Sequence, residues 1–432
     1  MLIELPSFKN SIFRTYLTYL MSLLLYSVLI VFLFVKWVVP VYTYKGYTID
    51  FNWTNISMSI MYIAIISYFV AIQVDNIKAF FISMLIVTVI IPMLCLYSFT
   101  EEFVFYDMYI LMIMFCVFII SLTCFIFIDL SGLSYRITFN RLLLPFMAFV
   151  TFFTLARYVM LNGFGIFNLD ITKVYDYRFL LRETMTGIFA YVDAWTIKII
   201  NPFCIIYSLY KKKKYSVAFF VMFQILLFGF SSHKSVLFSV LVLIIFYKSF
   251  SLISREKTTI IWIFICGCLF PLFLYFRNIT GIWCGLFRRI FFTPATLNFN
   301  YYDYFSLNNF SWFRTSFLRH FSNSEYGSIA RLIGFEYVGN VETHANTGFL
   351  GAGYAQGGFL VMMIYSVIIG ILISLIASFA KKVPMGLAVG ITILPMSFLF
   401  TSGDLPSSLL TGGLLIALLL LNILSKDPTI GS

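Results

Sequence analysis

RNITGIWCGLFRRIFFTPATLNFNYYDYFSLNNFSWFRTSFLRHFSNSEYGSIARLIGFEYVGNVETHANTGFLGAGYAQGG, residues 277–358, is the longest stretch of this chain that cannot itself cross a bilayer. It carries Arg277, Arg288, Arg289, Arg314, Arg319 and Arg331 and no lysine, and it holds two of the three histidines, His320 and His344. On either side lie apolar runs of about 20 residues, the length that spans a hydrocarbon core. The rest of the chain therefore reads as a scaffold that holds this segment at one face of a membrane.

Composition sets the class. The 432 residues are 61% hydrophobic and 11% charged, with a mean hydropathy of +0.96. A water-soluble fold has too few polar residues here to cover its surface. The expectation is an all-α, polytopic membrane helix bundle forming one integral membrane domain over 1–432. Aromatics make up 20% of the chain, and in a bilayer most of them serve as lipid-facing filler and interfacial belts. A net charge of +11 would suggest nucleic acid for a soluble protein. In a membrane chain the positive-inside rule accounts for it, and no nucleic-acid partner is expected. Six of the seven cysteines fall in apolar runs and only Cys284 lies in a candidate external segment, so no disulfide framework is expected. No small-residue cleavage site follows the first apolar run, which reads as a retained helix.

Span length places about twelve helices, at roughly 15–39, 54–72, 79–99, 108–128, 142–161, 194–210, 215–230, 235–253, 259–276, 355–379, 383–402 and 405–424. Lysine placement orients them. The connections with Lys211 to Lys214, with Arg255 and Lys257, and with Lys381 and Lys382 belong on the cytoplasmic side, and both termini then fall inside. The acidic loops at Glu101, Glu102 and Asp107 and at Asp404 fall outside. Two external loops are long, 162–193 and 277–354, and both are expected to carry short interfacial helices.

These loops break the positive-inside trend, and they break it with arginine. Lys173, Arg178 and Arg182 lie in the first, and six arginines in the second, so the external loops use mostly arginine. Guanidinium makes planar, two-pronged hydrogen bonds to phosphate and carboxylate, whereas an ammonium is a point charge. External arginines thus suit gripping an anion, while cytoplasmic lysines suit setting orientation. The competing account is that these arginines pair with Asp303, Glu325, Glu336 and Glu342.

Three stretches can carry chemistry. SWFRTSFLRHF, 311–321, sets Trp312, Phe313, Phe317 and Phe321 near one face of a helix lying in the interface, a platform for a lipid-linked substrate or an ordinary amphipathic connection. RRIFFTP, with Arg288, Arg289 and Pro294, follows the ninth span and can reach a phosphate at the membrane surface. HANTGFLGAGYAQGG leads into the tenth span. Its glycines do not match a dinucleotide fingerprint. Gly353 and Gly357, four apart, permit close helix packing. His344 and Asn346 remain as polar groups at the bundle mouth, and an imidazole suits proton transfer. Ser231, Ser232, His233 and Lys234 form a tight turn. No metal-ligand spacing and no phosphate-binding Walker loop occurs, so neither a metal nor another cofactor is expected.

The tyrosine–arginine stretch VYDYRFLLRE in the first loop, with RRIFFTP and HANTGFLGAGYAQGG bounding the second, resembles the oligosaccharide repeat unit polymerases, the O-antigen polymerases of Wzy type. The resemblance covers most of the chain through its layout and is carried by these patches. It implies a GT-C-like bundle in the bacterial inner membrane with its active face periplasmic. The implied enzyme is a metal-independent glycosyltransferase that moves a growing glycan from undecaprenyl pyrophosphate to the terminal sugar of a lipid-linked repeat unit. Implied partners are the undecaprenyl-pyrophosphate-linked oligosaccharide, membrane lipids and a chain-length regulator protein. On this reading Arg288, Arg289 and Arg319 stabilise the leaving diphosphate. Arg178, Arg182, Arg277, Arg314, Asp176 and Asn346 line the substrate. His344, Asp176, Glu183 and Glu325 stay open as the base. A lipid-linked glycan ligase shares this architecture and differs in acceptor. A flippase of the lipid-linked repeat instead calls for charged residues inside the spans.

Overall fold

A computed structural model of the protein describes residues 5–73, 75–99, 106–126, 139–163, 165, 167–170, 187–252, 257–313, 327–340, 343–427 and 430. Among them, helix is the only regular structure. Nine apolar helices long enough to cross a membrane come first: α1 (Ile12–Lys45), α2 (Trp53–Ala71), α3 (Asn76–Tyr97), α4 (Tyr106–Thr123), α5 (Leu143–Leu161), α6 (Ile188–Tyr210), α7 (Lys214–Ser231), α8 (Lys234–Ser251) and α9 (Thr259–Phe276). Next come α10 (Gly281–Leu307) and α11 (Ile329–Val338). A tenth candidate span, α12 (Phe349–Ala380), is followed by the shorter apolar helix α13 (Met385–Thr401). The chain ends with α14 (Leu405–Leu409) and α15 (Leu414–Ser425). Ten helices are thus long and apolar enough to span, and a multi-pass membrane protein follows from them.

The chain groups into two compact units. The first comprises Met1–Phe127, Arg255–Ser374 and Leu399–Leu405, and the second Ile128–Ser254, Leu375–Phe398 and Pro406–Ser432. In the first unit α3 is the axis. Its apolar window is wholly buried, and α1, α2, α4, α9 and α10 pack around it. Side-chain caps start its elements: Asp75 accepts from Ile77 N at 2.8 Å to open α3, and Asn52 accepts from Thr54 N at 3.1 Å to open α2.

Three spans share one local device. In α1, α3 and α6 a wide turn ends one residue before a proline, with Val39 N bonding Phe34 O, Ile91 N bonding Ile86 O and Asn201 N bonding Thr196 O. Pro40, Pro92 and Pro202 have no N–H to offer, and the widened turn relieves the clash of the ring with the preceding turn. The carbonyl left over must be satisfied in the apolar interior. In α6 of the second unit, Gln224 from α7 does this, donating Nε2 to Ile197 O at 3.1 Å and to Ser239 Oγ at 3.1 Å. Asn201 in turn donates to Gln224 Oε1 at 2.6 Å.

The structure changes the reading of 277–358. Most of the first half is one 27-residue helix, α10, rather than a loop with short interfacial helices. Its polar residues keep its apolar density below that of a span. Even so, Phe287, Phe291, Phe292, Ala295, Asn298, Phe299, Tyr302 and Phe305 are buried. Aromatic contacts fasten it, among them Phe34 with Phe292 at 4.7 Å and Tyr109 stacked on Tyr302 at 4.4 Å. Such pairs contribute about 0.5–1.5 kcal/mol each beyond area burial. Cys284, expected in an external loop, is buried in α10 with Sγ 3.3 Å from Trp37 O, and burial pushes its thiol up to about 11. Residues 311–313 are not helical, and the remainder of the expected 311–321 platform lies outside the described residues.

Candidate functional site

The break in α12 organises the polar residues of the first unit. Helical geometry fails at Gly357 and Gly358, the latter at φ 65°. Only glycine fits easily at 358, because a Cβ there would also meet the Phe310 ring at 2.9 Å. Gly357 therefore ends a helix instead of lining a continuous packing face. The break leaves the carbonyls of Ala355 and Gln356 without helical partners. Residues 311–313 fill that role as a strap: Ser311 N donates to Ala355 O at 2.8 Å and Trp312 N to Gln356 O at 2.9 Å. Phe313 N donates to the Gln356 side chain, Oε1, at 2.7 Å.

The strap is strained. Trp312 and Phe313 sit at φ 46° and 63°, a conformation that costs a bulky residue about 1–3 kcal/mol. It persists because hydrogen bonds to the helix break hold both residues, and Phe310 and Trp312 flank the glycines.

Gln356 is 2% exposed and donates Nε2 to Asp404 Oδ2 at 3.3 Å. Asp404 also accepts from Leu405 N at 2.8 Å. Burial raises its carboxyl above the ordinary range, against the pull of Tyr365, the Leu405 N–H and Gln356. Tyr301, from α10, feels the same carboxylate. Burial first and Asp404 second push its phenol up, and its hydroxyl donates to Ala345 O at 2.9 Å.

Above this lies an exposed polar surface. Ser328 caps α11 through Arg331 N at 3.3 Å, and Ala345 N bonds Ala330 O at 2.9 Å, tying residues 343–348 to the helix. Arg331 Nε then reaches His344 Nε2 at 3.4 Å. Tyr337 donates to Asp303 Oδ2 at 2.7 Å, and its phenol is raised by burial and then by Asp303. Asn346 is exposed beside His344.

The expected residues separate into groups. His344 and Asn346 share the surface just described. Arg288 lies toward the start of α10, half-buried, with its guanidinium 4.6 Å from the centre of the Tyr42 ring and its buried Nε without a hydrogen-bond partner among the described residues. Helical rise puts about 20 Å between Arg288 and Tyr301, the α10 residue that meets the 343–348 segment. The structure thus does not bring Arg288 to His344. Arg289 is exposed on the same turn as Arg288, and Arg277 is exposed in the turn after α9. Arg314, Arg319, Arg178, Arg182, Asp176, Glu183 and Glu325 lie outside the described residues.

Sequence reasoning passed over Gln356 and Tyr365, counted Arg331 among the external arginines without a role of its own, and used Asp404 only for orientation. One signal was present: Asp404 is the only carboxylate between Glu342 and Asp427. In the second unit, Arg157 pairs with Asp193 at 2.7 Å, the two side chains 14% and 6% exposed, and lies over Phe189 at 4.4 Å. No protein-family model, no curated protein and no solved structure matches the chain.

Proposed function

We propose that this chain is a multi-pass glycosyltransferase that lengthens a lipid-linked surface glycan, releasing undecaprenyl diphosphate. On this reading it has about twelve spans in a GT-C-like arrangement, counting α13 and the α14–α15 region with the ten long helices. It sits in the bacterial inner membrane with both termini cytoplasmic and its active face periplasmic. The observation that carries the reading is the polar surface at the start of α12. There Arg331 meets His344, Tyr337 meets Asp303 and Gln356 meets Asp404. A guanidinium for a diphosphate, carboxamide and phenol donors for sugar hydroxyls, and groups able to move a proton are the chemistry such a transfer needs. Arg288 and Arg289, about 20 Å along α10, belong on this reading to the path of the lipid diphosphate rather than to the reacting centre.

Deleting the gene in its host and running the surface polysaccharide on a gel tests this. A lost ladder with a core-plus-one-repeat band retained marks a polymerase. Complementation with Arg331→Ala, His344→Ala, Arg288→Ala, Arg289→Ala and Arg319→Ala, with expression checked, locates the site. Loss of every repeat-bearing band indicates a ligase or flippase, and an unchanged ladder refutes the glycan reading for that host.

A second reading has its own observation. Charged residues inside spans are rare and mark transport pathways, and the Arg157–Asp193 pair joins two candidate spans of the second unit. A flippase of the lipid-linked repeat would use it. Movement of the repeat across vesicles that depends on membrane potential or a counter-ion, without glycan lengthening, would establish that alternative.

A further inference from the structure

We propose that the second unit holds a phosphate-binding site at mid-depth in the bilayer, where the first turn of α15 meets the ammonium of Lys198. The assignment does not depend on the glycosyl-transfer reading above.

Helix lengths set the depth. α6 begins at Ile188, six residues before the expected bound, so Lys198 lies near its middle, 12 residues before its end at Tyr210. About 18 Å of helix separates the two. α15 has 12 residues and is also about 18 Å long. The two helices end together, because Asp427, just past α15, lies close enough to Tyr207 of α6 for its charge to act there. They also meet where α15 begins. Lys198 Nζ reaches Thr411 O at 3.5 Å, and a Cβ on Gly413, the residue before α15, would meet Ile199 Cγ2 at 3.1 Å. α15 therefore starts midway through a hydrocarbon core about 30 Å thick. Broken helix at that depth persists where it is buried in protein or lines a polar cavity, and such breaks are where membrane proteins bind ions and substrates.

The carbonyl side of the break is served from α6. Trp195 Nε1 donates to Leu410 O at 2.7 Å, and Lys198 Nζ donates to Thr411 O. The amide side is not served. Gly413 precedes α15 and offers no side-chain cap. Among the described residues, no acceptor meets the N–H groups of Leu414, Leu415 and Ile416. Ser408 packs on the same break, its backbone 2.5–2.9 Å from where a Cβ on Gly412 would stand. This serine is 0% exposed, and its hydroxyl has no hydrogen-bond partner among the described residues. Lys198 brings a positive charge. Its Nζ lies 3.8 Å from the centre of the Phe398 ring, which does not neutralise it. Asp193, five residues earlier on α6, is taken by Arg157, and among the described residues no carboxylate pairs with Lys198.

The break thus collects donors and positive charge on one side. A helix N-terminus and an ammonium both favour an anion, and a charged side chain inside a span marks a functional site. Phosphate presents several acceptor oxygens around one centre, which lets backbone amides, a hydroxyl and a lysine bind it together. Access is from the surface of the unit. Lys198 is only half-buried, and Leu410 and Leu415, on either side of the break, are 54% and 42% exposed. Both a phosphate carried on a lipid and a free phosphate have this chemistry.

The test uses the full-length protein in phosphatidylcholine nanodiscs and measures binding of two probes separately. One is inorganic phosphate in solution, and the other is phosphatidic acid as a minor component of the lipid. Binding of phosphatidic acid alone assigns the site to a lipid-borne phosphate, binding of inorganic phosphate alone to a free one, and binding of both to phosphate in either form. Lys198→Met keeps the stem, removes the charge and is expected to weaken that binding by about 10-fold or more, the scale of a hydrogen bond to a charged group. Lys198→Arg retains most of it, and Ser408→Ala weakens it by about 5-fold. A wild type that binds neither probe overturns the proposal. So does Lys198→Met that binds as wild type does, and a lower melting temperature in that variant would make Lys198 a cap for the Thr411 carbonyl alone. If Lys198→Met does not fold, Ser408→Ala decides, weakened binding supporting the site and unchanged binding overturning it.

Discussion

The two units place their buried polar groups differently. In the second unit one set of them is spent on a proline turn and an ion pair. Gln224 satisfies the carbonyl that Pro202 leaves over, Asn201 satisfies Gln224, and Arg157 neutralises Asp193. In the first unit a set of them gathers at a helix break. Leu405 N and Gln356 hold Asp404, Tyr365 faces the same carboxylate, and two aromatic residues keep a strained backbone against Gln356. Polar groups that satisfy each other stabilise a bundle, whereas a strained backbone at a helix break is the kind of place at which function is sought.

Mutations that act oppositely in the two units test this contrast. The largest effect belongs to Asp193→Ala, which leaves Arg157 buried and unpaired and should destabilise the protein by about 3–5 kcal/mol. Thermal unfolding in detergent measures it. The double variant Arg157→Leu, Asp193→Leu should recover most of the loss and retain glycan lengthening. If the double variant folds but loses all function, the pair belongs to a transport pathway and the contrast fails. Gln224→Leu comes next. It strands the Ile197 carbonyl in the apolar interior and should cost about 1–3 kcal/mol, read by the same melt.

Asp404→Asn should move stability the other way. Because burial raises its folded pKa, the stability it contributes is fully present below the ordinary carboxylate value of about 3.9. That stability is lost as pH rises through its own higher value. The asparagine variant should therefore melt slightly above wild type at neutral pH and level with it in acid. A variant that melts lower at neutral pH would place Asp404 with the structural groups of the second unit. The smallest effect is that of Tyr337→Phe, which removes one hydrogen bond to exposed Asp303 and should cost about 0.5–1.5 kcal/mol. A loss of lengthening without a loss of stability would instead draw Tyr337 into the site.

The scaffold was legible because a span is a local property. Apolar length located α9 at 259–276, while one end of α1, of α6 and of α12 runs six residues beyond the expected bound, since a span needs only its own sequence to be read but its ends do not. Helix α10 was missed for the same reason. Arg288, Arg289, Asn298 and Asp303 dilute its apolar signal, and its burial comes from partners such as Phe34, Tyr109 and α3, which lie far away in the chain. The site was legible in part. His344 stood out as an imidazole at the mouth of a span, and its partner Arg331 is only 13 residues away. Gln356 and Asp404 are 48 residues apart, so nothing local couples them. The doublet Gly357–Gly358 was visible, but its purpose was not. Close approach of Phe310 and Trp312, not helix-on-helix packing, requires it.

The most direct test of the glycosyl-transfer account is reconstitution. The purified wild-type protein is placed in phospholipid vesicles with undecaprenyl-diphosphate-linked repeat unit and no membrane potential, and the lipid-linked products are separated by size. The account predicts longer lipid-linked glycans, with one undecaprenyl diphosphate released for each new linkage. Repeat units that cross the bilayer unchanged in length, or products that require an imposed potential, would contradict it.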